Sequence, residues 1–392
     1  MNILLCTTTS TYTNSQVGGA QTSIRLIGER MAELGHNVFY LTSSDGDSSG
    51  EELIDGVHVV FYPKHSKQSL FRKILKKRKK KFAGEELEML IEDIVCRNNI
   101  ELVYLHYHPW LLQHVINLRQ KKRFIVVMRM AGLMWYEYSK KDPKKKREFE
   151  KAFSAVDSIN YNTPGLWKLT YQYAKQIDFR YQPKDEFVAD IGGFTKARIT
   201  KEDSGEPSKP FRLLVATRFS NYQKRQDILV KALKLLPRDI DVELKLIGTG
   251  PKLEYIQNMV ASYGLAEKVT FIPFLPQEEL WKQMVTSDLL CHPCEYEGLS
   301  KIIVESMFIG LPVLASDVLP LDDYVQHEQT GFLVENNPER WAQAIDRLVH
   351  SPDQLRSVAL RAREYAFQEF DSKRKIADYE AHFKRLLAVS KA

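Results

Sequence analysis

The 392-residue chain lacks the features of a membrane-spanning or secreted protein. No apolar run approaches the ~20 residues that a membrane-spanning helix needs. The first residues, Met1–Cys6, have no basic n-region and no cleavage site, so we predict a first β-strand there and no secretory signal. We therefore expect a cytoplasmic protein, and its length predicts two domains of roughly 150–200 residues each.

Cysteine is scarce, with four residues at Cys6, Cys96, Cys291 and Cys294. Such a low number fits buried thiols in a reducing compartment better than a disulfide framework. Cys291 and Cys294 have the spacing of a redox pair, but they lie before a Glu-Gly turn and not at the start of a thioredoxin-like first helix. A zinc site needs more ligands than this pair supplies. We predict neither a redox nor a zinc function.

Motifs for metal-dependent chemistry are also weak. Asp45-Gly46-Asp47 and Asp239-Ile240-Asp241 fit the D-x-D pattern of metal-dependent transferases, but neither has matching surroundings. No residue has the setting of a covalent nucleophile. We therefore expect no metal ion and no bound cofactor.

The chain does contain a repeated alternation of apolar strands and amphipathic helices, which is the pattern of parallel α/β layers. The polar, proline-containing stretch 196–210 interrupts this alternation, which then restarts. We predict an α/β protein with two doubly wound, Rossmann-like domains, 1–195 and 211–372, which face each other across a cleft. The last helical segment, 373–392, is expected to pack back on the first domain.

The most informative stretch is Glu297–Glu305, where two carboxylates lie eight positions apart around a glycine turn. Glycine at the junction of a loop and a helix lets backbone N–H groups approach an anion, which the helix N-terminus favours. Glu305 would lie roughly two turns into this helix, where it could accept hydrogen bonds from hydroxyl groups. A phosphate at one end and a diol near the other describe a nucleotide sugar.

Six segments of the second half follow one another in the order and spacing of a known family. They are Val215–Arg218, Gln223–Gln226, Leu246–Pro251, Glu297–Glu305, Gly310–Val313 and Thr330–Val334. On these segments the chain resembles the family 4 glycosyltransferases, which are retaining enzymes of the GT-B fold. The loop Gly18-Gly19-Ala20 after the first strand extends the resemblance, more weakly, to the first half.

The resemblance implies a metal-independent transfer of a hexosyl-type sugar from a nucleotide donor, a UDP- or GDP-sugar. It assigns Arg218 and Lys224 to the diphosphate, Glu305 to the ribose and Glu297 to the donor sugar near the reacting face. Fixed cations suit this chemistry, because without a metal the protein must stabilise the leaving diphosphate. Further donor contacts are predicted at Gly18, Gly19, Gly248, Gly250, Gly298, Leu299 and Ser300.

Each of these assignments has a structural alternative. Arg218 and Lys224 could form surface salt bridges, and Glu297 could simply stabilise the dipole of the following helix. Gly248 and Gly250 could belong to an ordinary turn between a strand and a helix.

The first half departs from the family where the acceptor is expected. Met130 stands where family members often carry histidine, and methionine neither accepts a proton nor binds a sugar hydroxyl well. His106 and His108 lie at the end of a predicted strand, Leu102–His106, at its carboxyl edge, where open α/β sheets place their sites. We predict that His106, His108 and Arg129 serve the acceptor side. The alternative for His106 is a buried, hydrogen-bonded position.

A basic amphipathic segment, Lys67–Lys81, contains nine lysines and arginines and no acidic residue. Such a helix could hold an enzyme on an anionic membrane surface. We therefore favour a lipid-linked or cell-envelope glycan as the acceptor, with the enzyme peripheral on the inner face of the membrane. The alternatives are a nucleic acid, which we favour less, a protein or small soluble acceptor, or a non-catalytic or epimerase-like protein that binds nucleotide sugars.

Replacing the six basic residues 76–81 by glutamine tests the membrane partner. Each lysine or arginine near an anionic surface contributes about 1 kcal/mol, so binding to phosphatidylserine-containing vesicles should fall more than tenfold. Cosedimentation measures it, with phosphatidylcholine vesicles as the control. Unchanged binding to the anionic vesicles would remove the argument for a membrane partner.

Overall fold

The computed structural model describes residues 1–8, 12, 19–44, 49–63, 76–106, 108–191, 200–201, 208–220 and 223–391. The chain divides into two compact units. Unit 1 comprises Met1–Asn162, Leu166–Ile191 and Ser372–Ala392, and unit 2 comprises Thr163–Gly165 and Gly192–Asp371. Gly18 and Asp45-Gly46-Asp47 lie outside the described residues, as does most of the predicted linker. So does Lys67–Lys81, apart from the backbone of residues 76–81, which opens helix α2.

Unit 1 contains an eight-stranded sheet among its described residues, ordered β3-β4-β2-β1-β5-β6-β7-β8. Its strands are β1 Asn2–Cys6, β2 Asn37–Ser44, β3 Gly50–Ile54, β4 Val57–Pro63, β5 Leu102–His106, β6 Ile125–Met130, β7 Ser158–Tyr161 and β8 Glu186–Val188. All neighbouring strands are parallel except β3 and β4, which form an antiparallel hairpin. Asp55 and Gly56 at its turn both have positive φ, 50° and 78°, as a two-residue type I′ turn requires.

The helices that accompany this sheet include the last one in the chain. They are α1 Gly19–Glu33, α2 Lys76–Arg97, α3 Pro109–Leu118, α4 Met134–Lys141, α5 Pro143–Ala155, α6 Pro164–Gln176 and α13 Ser372–Lys391. Ile376, Tyr379 and Phe383 of α13 are buried in the same apolar cluster as Ile3 and Leu5 of β1. Helix α13 therefore completes the core of unit 1, although it follows unit 2 in the chain.

Unit 2 contains a parallel sheet with strand order β11-β10-β9-β12-β13-β14 among its described residues. Its strands are β9 Phe211–Ala216, β10 Val242–Ile247, β11 Val269–Ile272, β12 Leu289–His292, β13 Val313–Ser316 and β14 Phe332–Val334. Its helices are α7 Gln226–Leu235, α8 Leu253–Ser262, α9 Gln277–Val285, α10 Lys301–Ile309, α11 Pro338–Val349 and α12 Pro352–Glu369, with a 3-10 turn at Leu321–Asp323. This is the doubly wound order of dinucleotide-binding sheets.

Both faces of the unit 2 sheet are covered. Leu213 and Val215 of β9 belong to one apolar cluster, whereas Leu214 between them belongs to a second cluster on the other face. This explains why the strands read as continuous apolar runs. The strand order reverses between β9 and β12, so the loops that leave these two strands diverge to opposite faces. A doubly wound sheet binds its ligands in the crevice that this reversal leaves at the carboxyl edge.

A buried ion pair joins Arg129 of β6 to Asp190, close to the end of the segment Leu166–Ile191 of unit 1. Arg129 is 1% exposed, and its Nη2 donates to Asp190 Oδ2 at 2.9 Å. Its Nη1 donates to the Tyr379 hydroxyl of α13 at 3.2 Å, and that hydroxyl donates in turn to the Ala189 carbonyl oxygen at 2.8 Å. The polar network therefore attaches α13 to the sheet from within the core.

Asp190→Asn should destabilise unit 1 strongly, because it leaves the Arg129 charge buried without its counterion. The expected loss of unfolding free energy, about 3–5 kcal/mol, can be measured by urea denaturation. The exposed pair formed by Lys121 and Glu92 provides the control, since Glu92→Gln should cost far less. Equal losses of unfolding free energy for the two variants would contradict a large contribution of the buried pair to stability.

Candidate active site at the carboxyl edge of β9 and β12

The loops that leave β9 and β12 are tied together through their backbones. Lys224 forms an antiparallel bridge with Cys294. The N–H of Arg225 donates to the Pro293 carbonyl oxygen at 3.0 Å. These bonds place the side chain of Lys224 beside the loop that carries the predicted Glu297.

Three polar side chains meet where these loops join. Lys224 Nζ donates to Glu297 Oε2 and lies 3.1 Å from His292 Nε2. His292 Nε2 lies 3.2 Å from the same carboxylate oxygen. The side chains of Lys224, Glu297 and His292 are 11%, 15% and 1% exposed. The structure thus brings together two of the three predicted catalytic residues and adds a histidine that the sequence did not single out.

The charges of this cluster follow from its partners. Burial favours the neutral form of Glu297, but the Lys224 ammonium and the hydrogen bonds from His292 and Lys224 outweigh it and hold the pKa of Glu297 well below its usual range. Burial, followed by the nearby Lys224 charge, lowers the pKa of His292 to about 4. At neutral pH the site therefore presents a carboxylate and a neutral imidazole beside an ammonium group.

Tyr324 fixes the turn that leads into α10. Its hydroxyl accepts a hydrogen bond from the Ser300 N–H at 2.9 Å and donates to the Gly298 carbonyl oxygen at 3.1 Å. The Ser300 N–H therefore has a buried partner, which leaves the Ser300 hydroxyl as the group for the predicted donor contact. The Ser300 hydroxyl lies 3.4 Å from His292 Nε2. Leu299 is buried between these residues.

Glu305 is the fifth residue of α10, so it lies little more than one turn into the helix and not the two turns expected, and it contacts α9. It accepts hydrogen bonds from Trp281 Nε1 at 3.0 Å and from Gln277 Nε2 at 3.3 Å. The side chain is buried, and this burial raises the pKa of Glu305 to about 7 against the opposing hydrogen bond from Trp281. Its carboxyl group is therefore held in one orientation by an indole and an amide.

Gly248 and Gly250 let the loop after β10 lie directly on the loop after β9. Both have positive φ, 140° and 151°. A Cβ atom at Gly248 would overlap the Thr217 carbonyl oxygen, and one at Gly250 would overlap the Phe219 carbonyl oxygen. This close packing is a structural reason for both glycines, and it fixes the backbone on either side of Arg218. The Arg218 side chain is exposed.

The predicted acceptor residues of unit 1 lie in two different environments. His106 ends β5 at its carboxyl edge, and burial, followed by the Arg129 charge, lowers the pKa of His106 to about 4. His108 follows two residues later and directly precedes α3. Arg129 is buried against Asp190, so the expectation that Arg129 reaches an acceptor is corrected: its guanidinium serves the core. Met130 is buried as well.

Gly19 is the first residue of α1, at the position expected for a loop-to-helix junction. Among the described residues, no three histidine, cysteine or acidic side chains are grouped as a metal site would need. Cys291 and Cys294 are buried and form no disulfide. Across the part of the chain that the structure describes, no helix has the length and apolar character to cross a bilayer.

Sequence comparison finds a family match in the second half of the chain. Residues 197–366 match the family model described as glycosyl transferases group 1. The chain is 22% identical to the N-acetyl-alpha-D-glucosaminyl L-malate synthase of Bacillus anthracis, over 96% of both chains. It is 30% identical to a GDP-mannose-dependent alpha-(1-6)-phosphatidylinositol monomannoside mannosyltransferase of Mycobacterium tuberculosis, over 36% of this chain. The second match spans 40% of the length of the Mycobacterium protein. A match to an uncharacterized glycosyltransferase of Haemophilus influenzae spans 39% of the length of that protein.

Comparison with solved structures covers nearly the whole chain. Sucrose-phosphate synthase from Thermosynechococcus elongatus superposes with a TM-score of 0.82 at 20% identity, over 99% of both chains. HepE from Anabaena, in complex with UDP and glucose, has a TM-score of 0.70 at 17% identity over 97% of this chain and 100% of that one. These likenesses confirm the predicted fold class, two Rossmann-like α/β domains of the GT-B type.

The raised pKa of Glu305 predicts a pH-dependent effect of Glu305→Gln on stability. Between its ordinary value of 4.5 and about 7, folded Glu305 keeps a proton that the unfolded chain releases, so stability falls as pH rises through this window. Glutamine has no such loss, and the variant should gain up to about 3 kcal/mol relative to the wild type between pH 4.5 and pH 8.

Urea denaturation of unit 2 at the two pH values measures this difference. Glu267→Gln, at an exposed position of the same unit, is the control and should show no pH-dependent gain. An equal response of the two variants would contradict the perturbed titration of Glu305.

Proposed function

We propose that the protein is a glycosyltransferase that moves a sugar from a nucleotide diphosphate donor to an acceptor hydroxyl. The observation that carries the proposal is the cluster of Lys224, His292 and Glu297 at the carboxyl edge between β9 and β12. This is the place where a doubly wound sheet binds a nucleotide. The group 1 family match over residues 197–366 supports it, as does the structural likeness to a protein that binds UDP and glucose.

The diphosphate of the donor is assigned to Lys224 and Arg218. Arg218 is exposed on the β9 loop, whose backbone is fixed by the glycine turn beneath it. Lys224 lies on the same loop and has an anionic partner, Glu297, that a phosphate can replace. Both cations lie on a loop that is anchored by the sheet, which suits electrostatic stabilisation of a leaving group without a metal.

The nucleoside is assigned to Glu305 on α10. Its carboxyl group is held by Trp281 and Gln277, so its remaining lone pairs have a fixed direction. Two adjacent ribose hydroxyls are suitable donors to such a carboxylate. The α10 N-terminus lies between this carboxyl group and the Lys224 cluster, and its dipole favours the negative charge of the diphosphate.

The transfer is proposed to retain the anomeric configuration. The bond between the anomeric carbon and the diphosphate oxygen breaks, and the electron pair leaves with the diphosphate. The acceptor oxygen then bonds to the same face of the sugar, and its proton passes to the leaving phosphate. Glu297, which is charged throughout, contacts the donor sugar near this face, and no covalent intermediate on the protein is needed.

The acceptor that we favour is a lipid-linked or cell-envelope glycan, with the enzyme in the cytoplasm and peripheral to the membrane. The basic segment Lys67–Lys81 and the phosphatidylinositol-directed name of the Mycobacterium relative support this assignment. A small soluble acceptor is the second candidate. It is favoured by the Bacillus relative, which is named for L-malate and aligns over 96% of both chains.

A panel of UDP-, GDP- and ADP-sugars tests the proposal directly. The wild-type protein should release the nucleotide from at least one donor, faster with an accepted acceptor than with water and equally well in EDTA. Lipid-linked glycans and small hydroxy acids in parallel assays separate the two acceptor classes. Release from none of the donors would contradict a transferase function.

The donor-side assignments predict different kinetic effects for two variants. Glu305→Ala should raise the KM for the donor, because it removes a contact made in the ground state as well as in the transition state. Lys224→Ala should lower kcat by about 10²–10³-fold, because the developing charge on the diphosphate loses its fixed cation. Lys282→Ala, at an exposed position of α9, is the matched lysine control. Wild-type rates for both site variants would refute these roles.

A further inference from the structure

His292 has an unusual position for a histidine in a buried strand. It is the last residue of β12, at the edge where the donor is proposed to bind, and its side chain is 1% exposed. Its Nε2 lies 3.1 Å from Lys224 Nζ, 3.2 Å from Glu297 Oε2 and 3.4 Å from Ser300 Oγ. One nitrogen therefore contacts Lys224, which is proposed to bind the diphosphate, Glu297, which is proposed to bind the sugar, and the hydroxyl of Ser300, which directly precedes α10.

The rest of β12 explains why this histidine is not a simple packing residue. Leu289 and Cys291 enter the apolar cluster on one face of the sheet, and Leu290 enters the cluster on the other. An apolar side chain at position 292 would suit the same surroundings without the cost of burying an imidazole. That cost is offset only when the ring is hydrogen-bonded. Its bonding partners are the charged groups of the site.

We propose that His292 is a positioning residue for glycosyl transfer: its Nε2 accepts from the Lys224 ammonium or, in the other tautomer, donates to the Glu297 carboxylate, and so keeps this pair in its working place. The inference rests on the proposed function, since it gives His292 a role in the same donor site. In this role His292 touches neither the donor nor the acceptor. It acts through Lys224 and Glu297.

A neutral imidazole is suited to this task. Burial and the Lys224 charge keep His292 neutral at physiological pH. Its Nε2 can accept a hydrogen bond from Lys224, or in the other tautomer donate one to Glu297. When the diphosphate draws Lys224 away from Glu297, the imidazole remains as a partner for the carboxylate. Glu297 is then not left buried and unpaired while the sugar is transferred.

Three substitutions separate positioning from packing. His292→Gln places an amide close to the Nε2 position, His292→Asn places one close to the Nδ1 position, and His292→Leu keeps the volume without a polar group. We expect His292→Leu and His292→Asn to lower kcat by roughly 10–100-fold with little change in the donor KM, because displaced catalytic charges act mainly in the transition state. His292→Gln should recover most of the rate.

The assay is nucleotide release and transfer with the donor that the wild type accepts, together with thermal unfolding of each variant. A packing role predicts the opposite order, with His292→Leu as active as the wild type and at least as stable. That result would overturn the proposal. If His292→Leu does not fold, equal kcat values for folded His292→Gln and His292→Asn would overturn it instead. Failure of the proposed function is a separate outcome, in which the wild type itself releases nucleotide from no donor.

Discussion

The ion pair between Lys224 and Glu297 is the interaction around which unit 2 is arranged. The two residues belong to different loops, which start side by side because β9 and β12 are neighbours in the sheet. The backbone bridge between Lys224 and Cys294 holds the two loops together. The close packing of Gly248 and Gly250 fixes the position of the β9 loop above the sheet. Because the pair is largely removed from water, its charges act on a ligand more strongly than exposed charges would.

The two glutamates of the motif are placed in opposite electrostatic environments. Glu297 has a cation beside it and stays ionised, whereas burial outweighs the hydrogen bond from Trp281 and the charge of Lys301 and raises the pKa of Glu305 to about 7. Eight residues of sequence thus separate a permanently charged group from one that titrates in the physiological range. Such a division lets one motif offer a fixed charge to the reacting sugar and a hydrogen-bonding group to a neutral diol.

Local signals in the sequence predicted much of the fold but only part of the site. The strand Leu102–His106 has its predicted bounds, because a continuous apolar run defines a strand that is buried on both faces. The engagement of the Ser300 N–H depends on a hydroxyl 24 residues away, and that of Arg129 on partners 61 and 250 residues away. A polar residue that ends an apolar strand was the one available signal for His292.

Helix α13 has a consequence for the biosynthesis of the chain. The apolar cluster of unit 1 contains both Ile3 of β1 and Leu387 of α13, which are far apart in the sequence. The chain leaves unit 1 at Ile191 and returns at Ser372, so Gly192–Asp371 of unit 2 is translated in between. Domains generally fold in the order of their synthesis. Here the second unit is complete on the ribosome before the first has received its closing helix, and the unit that starts first is finished last.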